Sequence, residues 1–342
     1  MPAPLPVNLH EYEPLARAAV SEMAWDYMAG GGDERTLAWN RERLDATRLL
    51  PRVLRDVSVI DMKLTLLGLS LPFPVLLAPT GFQRLFHDEG ELATARGAGA
   101  AGALYTLSTP ATTSLEDVAK VASAPLWFQL YVPRDRGFTL ELVRRAEAHG
   151  YRALVLTADT PLLGARDREQ RRQLELPPGM ELPNLRGLAA RTSEPTFQHG
   201  SRNPFLDPSL TWKDLAWLAR ETKLPVVVKG VLHPDDARLA IEHGAAAVGV
   251  SNHGGRNLDT VPATIDALPP IVVAVAGRVP ILFDGGVRRG VDVVKALALG
   301  ASGAAGVTRV IQLLVTEVEM AMAQCGAASL AELKRELVLP AR

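Results

Sequence analysis

An alternation of short apolar segments with amphipathic helical segments runs through most of the chain and limits the folds that it can adopt. Each apolar segment ends in a polar turn, and a helical pattern that stops at glycine usually follows. Seven such segments are visible, at 75–79, 103–108, 126–131, 153–159, 226–230, 248–251 and 281–285. Strands that alternate with helices predict a parallel sheet, and this number of strands predicts an α/β fold of the TIM (β/α)8 barrel type.

The eighth strand is hard to find in the sequence. It should follow the helical pattern at 291–300, but 301–308 is small, glycine-rich and poor in residues that favour strands. From Val310 onward the apolar residues follow a helical period. We therefore expect the last strand to be degenerate or missing.

Two segments lie outside this alternation, within what we predict to be a single domain over 1–342. Residues 1–57 predict an N-terminal helical cap, because apolar residues recur at helical spacing before Gly30, Gly31 and Gly32. Residues 177–207 are rich in Pro, Gly, Asn, Ser and Arg. A loop of that length in a barrel is typical of a mobile active-site lid or of a disordered segment.

The composition excludes several classes of protein. The chain has 342 residues, is 47% hydrophobic and has a net charge of -1, which predicts a soluble protein with no nucleic-acid or membrane partner. The lone Cys325 excludes an internal disulfide and a thiolate metal cluster, so we expect a cytoplasmic location. No leader peptide or membrane-length apolar run is visible.

One glycine motif is misleading. Gly97, Gly99 and Gly102 match the G-x-G-x-x-G pattern of dinucleotide sites. That motif must follow a strand and open a helix, whereas here it closes a helix and precedes a strand. We interpret it as a helix stop.

The stretch 248–259 holds the strongest chemical signal. An apolar strand ends at Ser251 and Asn252, and His253, two glycines and Arg256 follow. The glycines allow a sharp turn, His253 can accept a proton near neutral pH, and Arg256 can hold a carboxylate or phosphate. A base beside an anion-binding group predicts an enzyme that acts on a small acid. The competing interpretation is a loop histidine beside a surface charge.

Polar residues end most of the predicted strands. The carboxyl ends of barrel strands meet on one face. The residues there are Pro79, Thr80, Gly81, Ser108, Gln129, Tyr131, Thr157, Asp159, Lys229, Ser251, His253, Asp284, Gly285, Gly286 and Arg288. No spacing of His, Cys and carboxylates predicts a metal site, so the chemistry falls to an organic cofactor or to His253 itself.

Several of these segments resemble one enzyme family. The segments are Ser-Asn-His-Gly-Gly-Arg-Asn-Leu-Asp at 251–259, Asp-Gly-Gly-Val-Arg at 284–288, Phe-Gln-Leu-Tyr at 128–131, Thr-Ala-Asp-Thr-Pro at 157–161 and Val-Lys-Gly at 228–230. They resemble the FMN-dependent 2-hydroxy acid oxidases and dehydrogenases, which include glycolate oxidase, lactate oxidase and mandelate dehydrogenase. The resemblance covers nearly the whole chain.

The resemblance implies that FMN lies across the strand ends and that a small L-2-hydroxy acid is oxidised to the 2-oxo acid. His253 would be the base, and Asp159 would orient it and stabilise its protonated form. Arg166 and Arg256 would hold the substrate carboxylate, with Tyr27 and Tyr131 in contact with the substrate. Both a hydride and a carbanion route are compatible with these roles.

The resemblance also implies a set of cofactor-binding residues. Lys229 would lie by the flavin N1 and C2 carbonyl, where a cation stabilises the reduced ring. The whole set is Pro79, Thr80, Gly81, Ser108, Gln129, Thr157, Lys229, Ser251, Asp284, Gly285, Gly286, Val287 and Arg288. Oxygen is the expected electron acceptor and a homotetramer the expected assembly.

Three positions depart from the family pattern. Pro110 stands where many relatives carry Trp, which suggests different or roomier side-chain selectivity. Gly81 replaces the more usual Ala, which suggests a change in oxygen reactivity and in pocket size. The Gly-Arg-Pro sequence that grips the FMN phosphate is absent after Ala301, as if a strand and a short helix were missing near Ser302, and Arg309 is only a weak substitute. Two rival functions stay open: a scaffold that has lost FMN, and a flavin-dependent isomerase.

Overall fold

The computed structural model describes residues 5–172, 174–188, 206–305 and 308–339. In these residues the strands are β1 Arg48–Leu49, β2 Leu64–Leu66, β3 Leu69–Leu71, β4 Val75–Leu76, β5 Tyr105–Leu107, β6 Leu126–Leu130, β7 Leu154–Thr157, β8 Val226–Val231, β9 Ala247–Val250, β10 Ile281–Phe283, β11 Gly303–Ala305 and β12 Val338–Leu339. The helices are α1 Tyr12–Ala19, α2 Glu22–Ala29, α3 Arg35–Ala46, α4 Gly90–Ala101, α5 Leu115–Val121, α6 Arg136–Ala148, α7 Asp167–Arg171, α8 Trp212–Glu221, α9 Pro234–Glu242, α10 Thr264–Val275, α11 Gly290–Ala298 and α12 Thr308–Cys325.

A closed parallel barrel forms the centre of the molecule. Its strands are hydrogen-bonded in the order β4-β11-β10-β9-β8-β7-β6-β5. A bridge between Leu77 and Tyr105 joins the two ends of this row, since it links the segment after β4 to β5. The predicted (β/α)8 barrel is therefore confirmed.

The eighth barrel strand, β11, is degenerate but present. Gly303 pairs with Leu282 of β10, and Ala304 pairs with Val75 of β4. Strand-favouring side chains are not needed here, because backbone hydrogen bonds to a neighbour on each side hold the segment in place. Only positions 306 and 307 separate β11 from α12. The eighth strand is therefore not missing, which corrects the expectation of an absent strand near Ser302.

The apolar side chains form two layers. Inside the barrel, Leu104, Trp127 and Val227 pack with their neighbours in a small cluster at 0 to 1% exposure. A larger cluster fills the space between the barrel and its helices, with Leu142 and Ile271 fully buried in it. This two-layer burial fixes the strands, so the side chains at their carboxyl ends are held on a rigid frame.

Helices α2 and α3 pack on the carboxyl-terminal face of the barrel. Helix α3 begins after Glu34, whose side chain makes no capping hydrogen bond. Instead Asp259 accepts from the amide of Arg35 at 3.1 Å and from the amide of Thr36 at 2.7 Å. The loop that carries His253 therefore caps a helix far away in sequence. The segment 1–57 holds the helices α1, α2 and α3.

Two further predictions concern single segments. Helix α4 ends at Gly102, which has φ 73°, so the glycine motif is a helix stop as predicted. Of the predicted lid at 177–207, residues 189–205 lie outside the described residues. In the described ranges, no helix has both the length and the hydropathy needed to cross a bilayer.

Candidate active site

A histidine and a carboxylate meet at the ends of β7 and β9. His253 opens a short 3-10 turn, His253–Gly255, and has φ 57°, a left-handed conformation that costs energy for a residue with a Cβ. Its Nδ1 lies 2.8 Å from Oδ1 of Asp159. Because an ionised carboxylate only accepts, Nδ1 carries the proton and Nε2 is left as a proton acceptor.

The surroundings set the charges of this pair. Burial lowers the pKa of His253 below 6.5, with Lys229 and Arg166 acting in the same direction and Asp159 opposing them. Burial alone would raise the pKa of Asp159, but His253 and Lys229 lower it to about 2. At neutral pH the pair is therefore a neutral imidazole beside a carboxylate, which is the form that can remove a proton.

Two guanidinium groups lie beside this pair. Arg166 donates from Nε to the backbone carbonyl of Arg256 at 3.2 Å, and Arg256 donates to the carbonyls of Met28 and Gly30 at 3.0 and 3.1 Å. Burial and the charge of Arg166 lower the pKa of Arg256. Glu169, 3.2 Å from Arg166, is the carboxylate that balances one of the two charges. The surplus positive charge suits a single bound carboxylate.

Two tyrosines adjoin the arginines. The guanidinium of Arg256 lies 5.0 Å from the ring centre of Tyr27, a cation–π contact. Burial raises the pKa of both tyrosines, to about 12 for Tyr131, so both hydroxyls stay protonated hydrogen-bond donors. A β-carbon added at Gly81 would lie 3.1 Å from Pro110 Cγ and 3.6 Å from the Tyr27 hydroxyl. These residues thus border one small space.

A buried amide connects three strand ends. Gln129 accepts from the hydroxyl of Ser108 at 3.1 Å and donates to the hydroxyl of Thr157 at 3.0 Å. Thr109, which the sequence did not single out, donates its amide to the same Gln129 oxygen at 3.0 Å. Strands β5, β6 and β7 therefore present one fixed row of polar groups.

A buried cation continues this row. Lys229 is 9% exposed and donates to Ser251 at 2.8 Å, and Ser251 donates to Asp284 at 2.7 Å. Burial would lower the pKa of Lys229, but Asp284 and Asp159 raise it above its usual value. The lysine thus stays charged within the strand-end face.

The loop after β10 contains two glycines and backbone amides without hydrogen-bond partners in the described part of the chain. Gly285 and Gly286 have φ of 112° and 81°, and a β-carbon on either would collide with Thr264 or Asn40. The amides of 285–287 form no hydrogen bond with the described part of the chain. By contrast, Asp292 accepts from the amides of both Arg288 and Arg289 at 3.0 Å. The free amides end where helix α11 begins.

The other predicted residues differ in how closely they join this face. Gly81 lies at the small space beside Tyr27, and Val287 is buried in the β10 loop. Pro79 is partly exposed after β4. Thr80 and Arg288 are exposed, and the side chain of Arg288 donates only to the carbonyl of Val287 among the described residues. These two side chains are not brought into the buried polar network.

Sequence reasoning missed several residues that touch the site. Thr160 and Asn257 both hydrogen-bond to Asp159, at 3.0 and 3.2 Å, and Glu169 pairs with Arg166. Their signals were present, since Thr160 follows Asp159, Asn257 lies four positions after His253 and Glu169 three after Arg166. A polar residue close in sequence to a strand-end pair is therefore a candidate member of the same site.

Fold and site together define a class. A closed (β/α)8 barrel presents, on its carboxyl-terminal face, a neutral histidine on a carboxylate, two arginines and a cation within a row of amide and hydroxyl groups. This donor set suits an organic cofactor with ring carbonyls and nitrogens together with a substrate carboxylate. The molecule is a barrel enzyme that acts on a small acid.

The comparisons with known proteins give the family. The model of the FMN-dependent dehydrogenase family matches residues 16–340. An L-lactate oxidase of Nostoc sp. is 47% identical over 96% of this chain and 96% of its own, and glycolate oxidase of Spinacia oleracea is 46% identical over 96% and 94%. A mandelate oxidase with bound (S)-4-hydroxymandelic acid has a TM-score of 0.89 at 38% identity and covers 98% of both chains.

The chain belongs to the FMN-dependent dehydrogenase family. The predicted family and its FMN cofactor are therefore confirmed. The donor groups present fit that cofactor, since Lys229 and the Gln129 row suit the polar edge of a flavin ring and the bare glycines of the β10 loop allow close backbone approach.

Proposed function

We propose that this chain oxidises small L-2-hydroxy acids to 2-oxo acids with FMN. The single observation that carries the proposal is the neutral His253, held by Asp159 on the same face as the two arginines. The relatives named lactate, glycolate and mandelate oxidases support the same chemistry. The sequence predicted an FMN-dependent 2-hydroxy acid oxidase or dehydrogenase, and the names of these relatives agree with that enzyme class.

Arg166 and Arg256 bind the substrate carboxylate. Their surplus positive charge favours one anionic group, and guanidinium forks can hold a carboxylate in two places. The protonated hydroxyls of Tyr27 and Tyr131 donate to the substrate from either side. Held in this way, the C2 carbon has a fixed position relative to His253.

His253 takes the substrate proton at Nε2. Asp159 then stabilises the imidazolium that forms, since its carboxylate accepts from Nδ1 at 2.8 Å. A β-carbon at Gly81 would lie only 3.1 Å from Pro110 Cγ, so Gly81 and Pro110 set the size of the small space beside Tyr27 and with it the substrate side chain that fits.

FMN, when bound, accepts the two electrons that leave the C2 carbon. We propose that Thr80, Ser108, Gln129, Thr157, Lys229 and Ser251, with Pro79 and Gly81, hold its ring, and that the 284–288 segment holds its ribityl and phosphate. The buried network of Gln129 and Lys229 supports the first assignment. The free amides of 285–287 support the second.

Oxygen is the proposed electron acceptor, because the relatives compared are named oxidases. A homotetramer is proposed by family resemblance and a cytoplasmic location from the lone Cys325. Oxygen consumption, light scattering on the purified protein and cell fractionation test these three points in turn.

An absorbance spectrum before and after anaerobic addition of a hydroxy acid tests the function. We expect a flavin band that bleaches with lactate and with mandelate, and an isomerase would keep the band instead. His253→Ala should bind FMN but bleach at least about 1000-fold more slowly, because the proton acceptor is gone. Bleaching of that variant at the wild-type rate would remove His253 from the base role.

The alternative of a scaffold without a cofactor is not favoured. It required the loss of the eighth strand, and β11 closes the barrel. A purified protein that stays colourless after incubation with FMN would instead support the scaffold alternative.

A further inference from the structure

Asp159 has hydrogen-bond partners besides His253. Its Oδ1 accepts from the hydroxyl of Thr160 at 3.0 Å and from Nδ2 of Asn257 at 3.2 Å, in addition to the histidine at 2.8 Å. Its Oδ2 is buried and has no partner among the described residues. All the hydrogen bonding of the carboxylate is therefore concentrated on the oxygen that holds the base.

Asn257 makes more than one of these contacts. Its Nδ2 also lies 2.8 Å from the backbone carbonyl of Asp159 and 2.7 Å from the hydroxyl of Thr160. Thr160 is 6% exposed and its hydroxyl relays this donation to Asp159. The amide thus contacts the end of β7 at three atoms.

These contacts connect the two parts of the chain that form the His–Asp pair. Asn257 lies on the loop of His253, whereas Asp159 and Thr160 follow β7. The bond to the backbone carbonyl of Asp159 involves no ionisable group, so it persists whether His253 is neutral or protonated. It can therefore hold the two segments in register throughout the reaction.

Gly230 closes the opposite side of the carboxylate. A β-carbon there would lie 2.5 Å from Asp159 Cβ and 2.8 Å from Oδ2. Asp159 thus has little room to turn, and the contacts of Asn257 select the orientation that faces His253.

We propose that Asn257, through Thr160, is a positioning residue that fixes Asp159 against His253. This inference rests on the proposed role of His253 as the base. Asn257 does not need to touch the substrate; it acts on the rate by keeping the acceptor of the Nδ1 proton in place.

A double-mutant cycle on the rate of anaerobic flavin bleaching tests the proposal. Asn257→Leu keeps the size of the side chain but removes the donor. We expect Asn257→Leu to bleach about 10- to 100-fold more slowly than the wild type. Its KM for the hydroxy acid should stay within about twofold, because the two arginines that bind the substrate carboxylate are untouched. In an Asp159→Asn background, Asn257→Leu should lower the bleaching rate by less than about threefold, since Asn257 acts through Asp159.

A matched control uses another buried amide of the same loop. Asn252 pairs with Asn40 at 2.9 and 2.7 Å and is 4% exposed. Asn252→Leu should lower thermal stability and change the bleaching rate by the same factor in both backgrounds. If Asn257→Leu behaves in this way, or bleaches at the wild-type rate, the positioning role is wrong.

A second pair of variants covers a failure of Asn257→Leu to fold. Thr160→Val removes the relay hydroxyl and should slow bleaching, whereas Thr160→Ser should restore it to within about threefold of wild type. Equal rates for the two would overturn the proposal. His253→Ala separates the two hypotheses: if it is inactive while Asn257→Leu is normal, only the positioning role fails, and if it is fully active, the proposed function fails.

Discussion

At the scale of the residue, the charge of His253 follows from its neighbours. Burial, Lys229 and Arg166 favour the neutral ring, while Asp159 favours the protonated one, and the net effect lowers the pKa. A lowered pKa means that the ring loses its proton at a lower pH than a free histidine does. The base form is therefore retained into mildly acidic solution.

This charge balance predicts the pH dependence of the reaction. The rate of anaerobic bleaching at low substrate should fall as pH decreases, with an apparent pKa below 6.5, because protonated His253 cannot accept a proton. Asp159→Asn should move this limb to still lower pH, since the imidazolium loses its carboxylate. Lys229 and Arg166 both act on the ring, and the raised pKa of Lys229 keeps its ammonium charged over this range. An apparent pKa above 7 for this fall in the wild-type bleaching rate would contradict the assignment.

At the scale of the element, helix α3 depends on the active-site loop. Its own first turn lacks a side-chain cap, and Asp259 supplies two acceptors from a loop more than two hundred positions away. Burial would raise the pKa of Asp259, but hydrogen bonds from Thr36, Thr260 and Arg35 lower it to about 2. The carboxylate is therefore ionised and stabilising at any pH well above its unfolded value, and this contribution is lost only as pH falls toward 2.

Removal of this cap should be measurable. Asp259→Ala should lower the free energy of unfolding by about 1 to 2 kcal/mol, since the amides of Arg35 and Thr36 lose their acceptor. Denaturant unfolding at pH 7 measures it. Asp33→Asn, which alters an exposed carboxylate just before the same helix, is the control and should leave stability within about 0.5 kcal/mol. An equal loss in both variants would argue against capping by Asp259.

At the scale of the whole molecule, the barrel closes while one connection stays very short. Phosphate sites in such barrels are commonly built from the loops after the seventh and eighth strands. Here the eighth connection has two positions, and the amides that open α11 are taken by Asp292 and, at Gly290, by Glu317 at 2.6 Å. The amides of 285–287 are the free backbone donors of the described β10 loop.

This geometry predicts weak selection for the FMN phosphate. Apoprotein should prefer FMN over riboflavin by no more than about 100-fold, since the described β10 loop offers the phosphate backbone amides and few charged groups. Quenching of flavin fluorescence measures both affinities independently of turnover. Lys229→Met alters the part of the site proposed to hold the flavin ring, so it should weaken the binding of FMN and of riboflavin by a similar factor. A preference for FMN over riboflavin above about 1000-fold would contradict this prediction, because it would require strong protein contacts to the phosphate.

The amino-acid sequence by itself determined the barrel and the family, and it predicted most of the residues that the structure brings together at the candidate site. The alternation of apolar and amphipathic segments has one common solution, and strand-end positions such as Gln129, Lys229 and His253 follow from it because parallel strands present their carboxyl ends on one face. The prediction weakened at residue 303, where pairing by neighbouring strands outweighs the poor strand propensity of Gly-Ala-Ala.

Only the tertiary structure decided contacts between distant segments. The capping of α3 by Asp259 and the hold of Asn257 on Asp159 join residues with no local signal for each other. The neutral state of His253 likewise depends on burial and on charges from other strands. Such features depend on distances across the barrel face, which local patterns of residues do not encode.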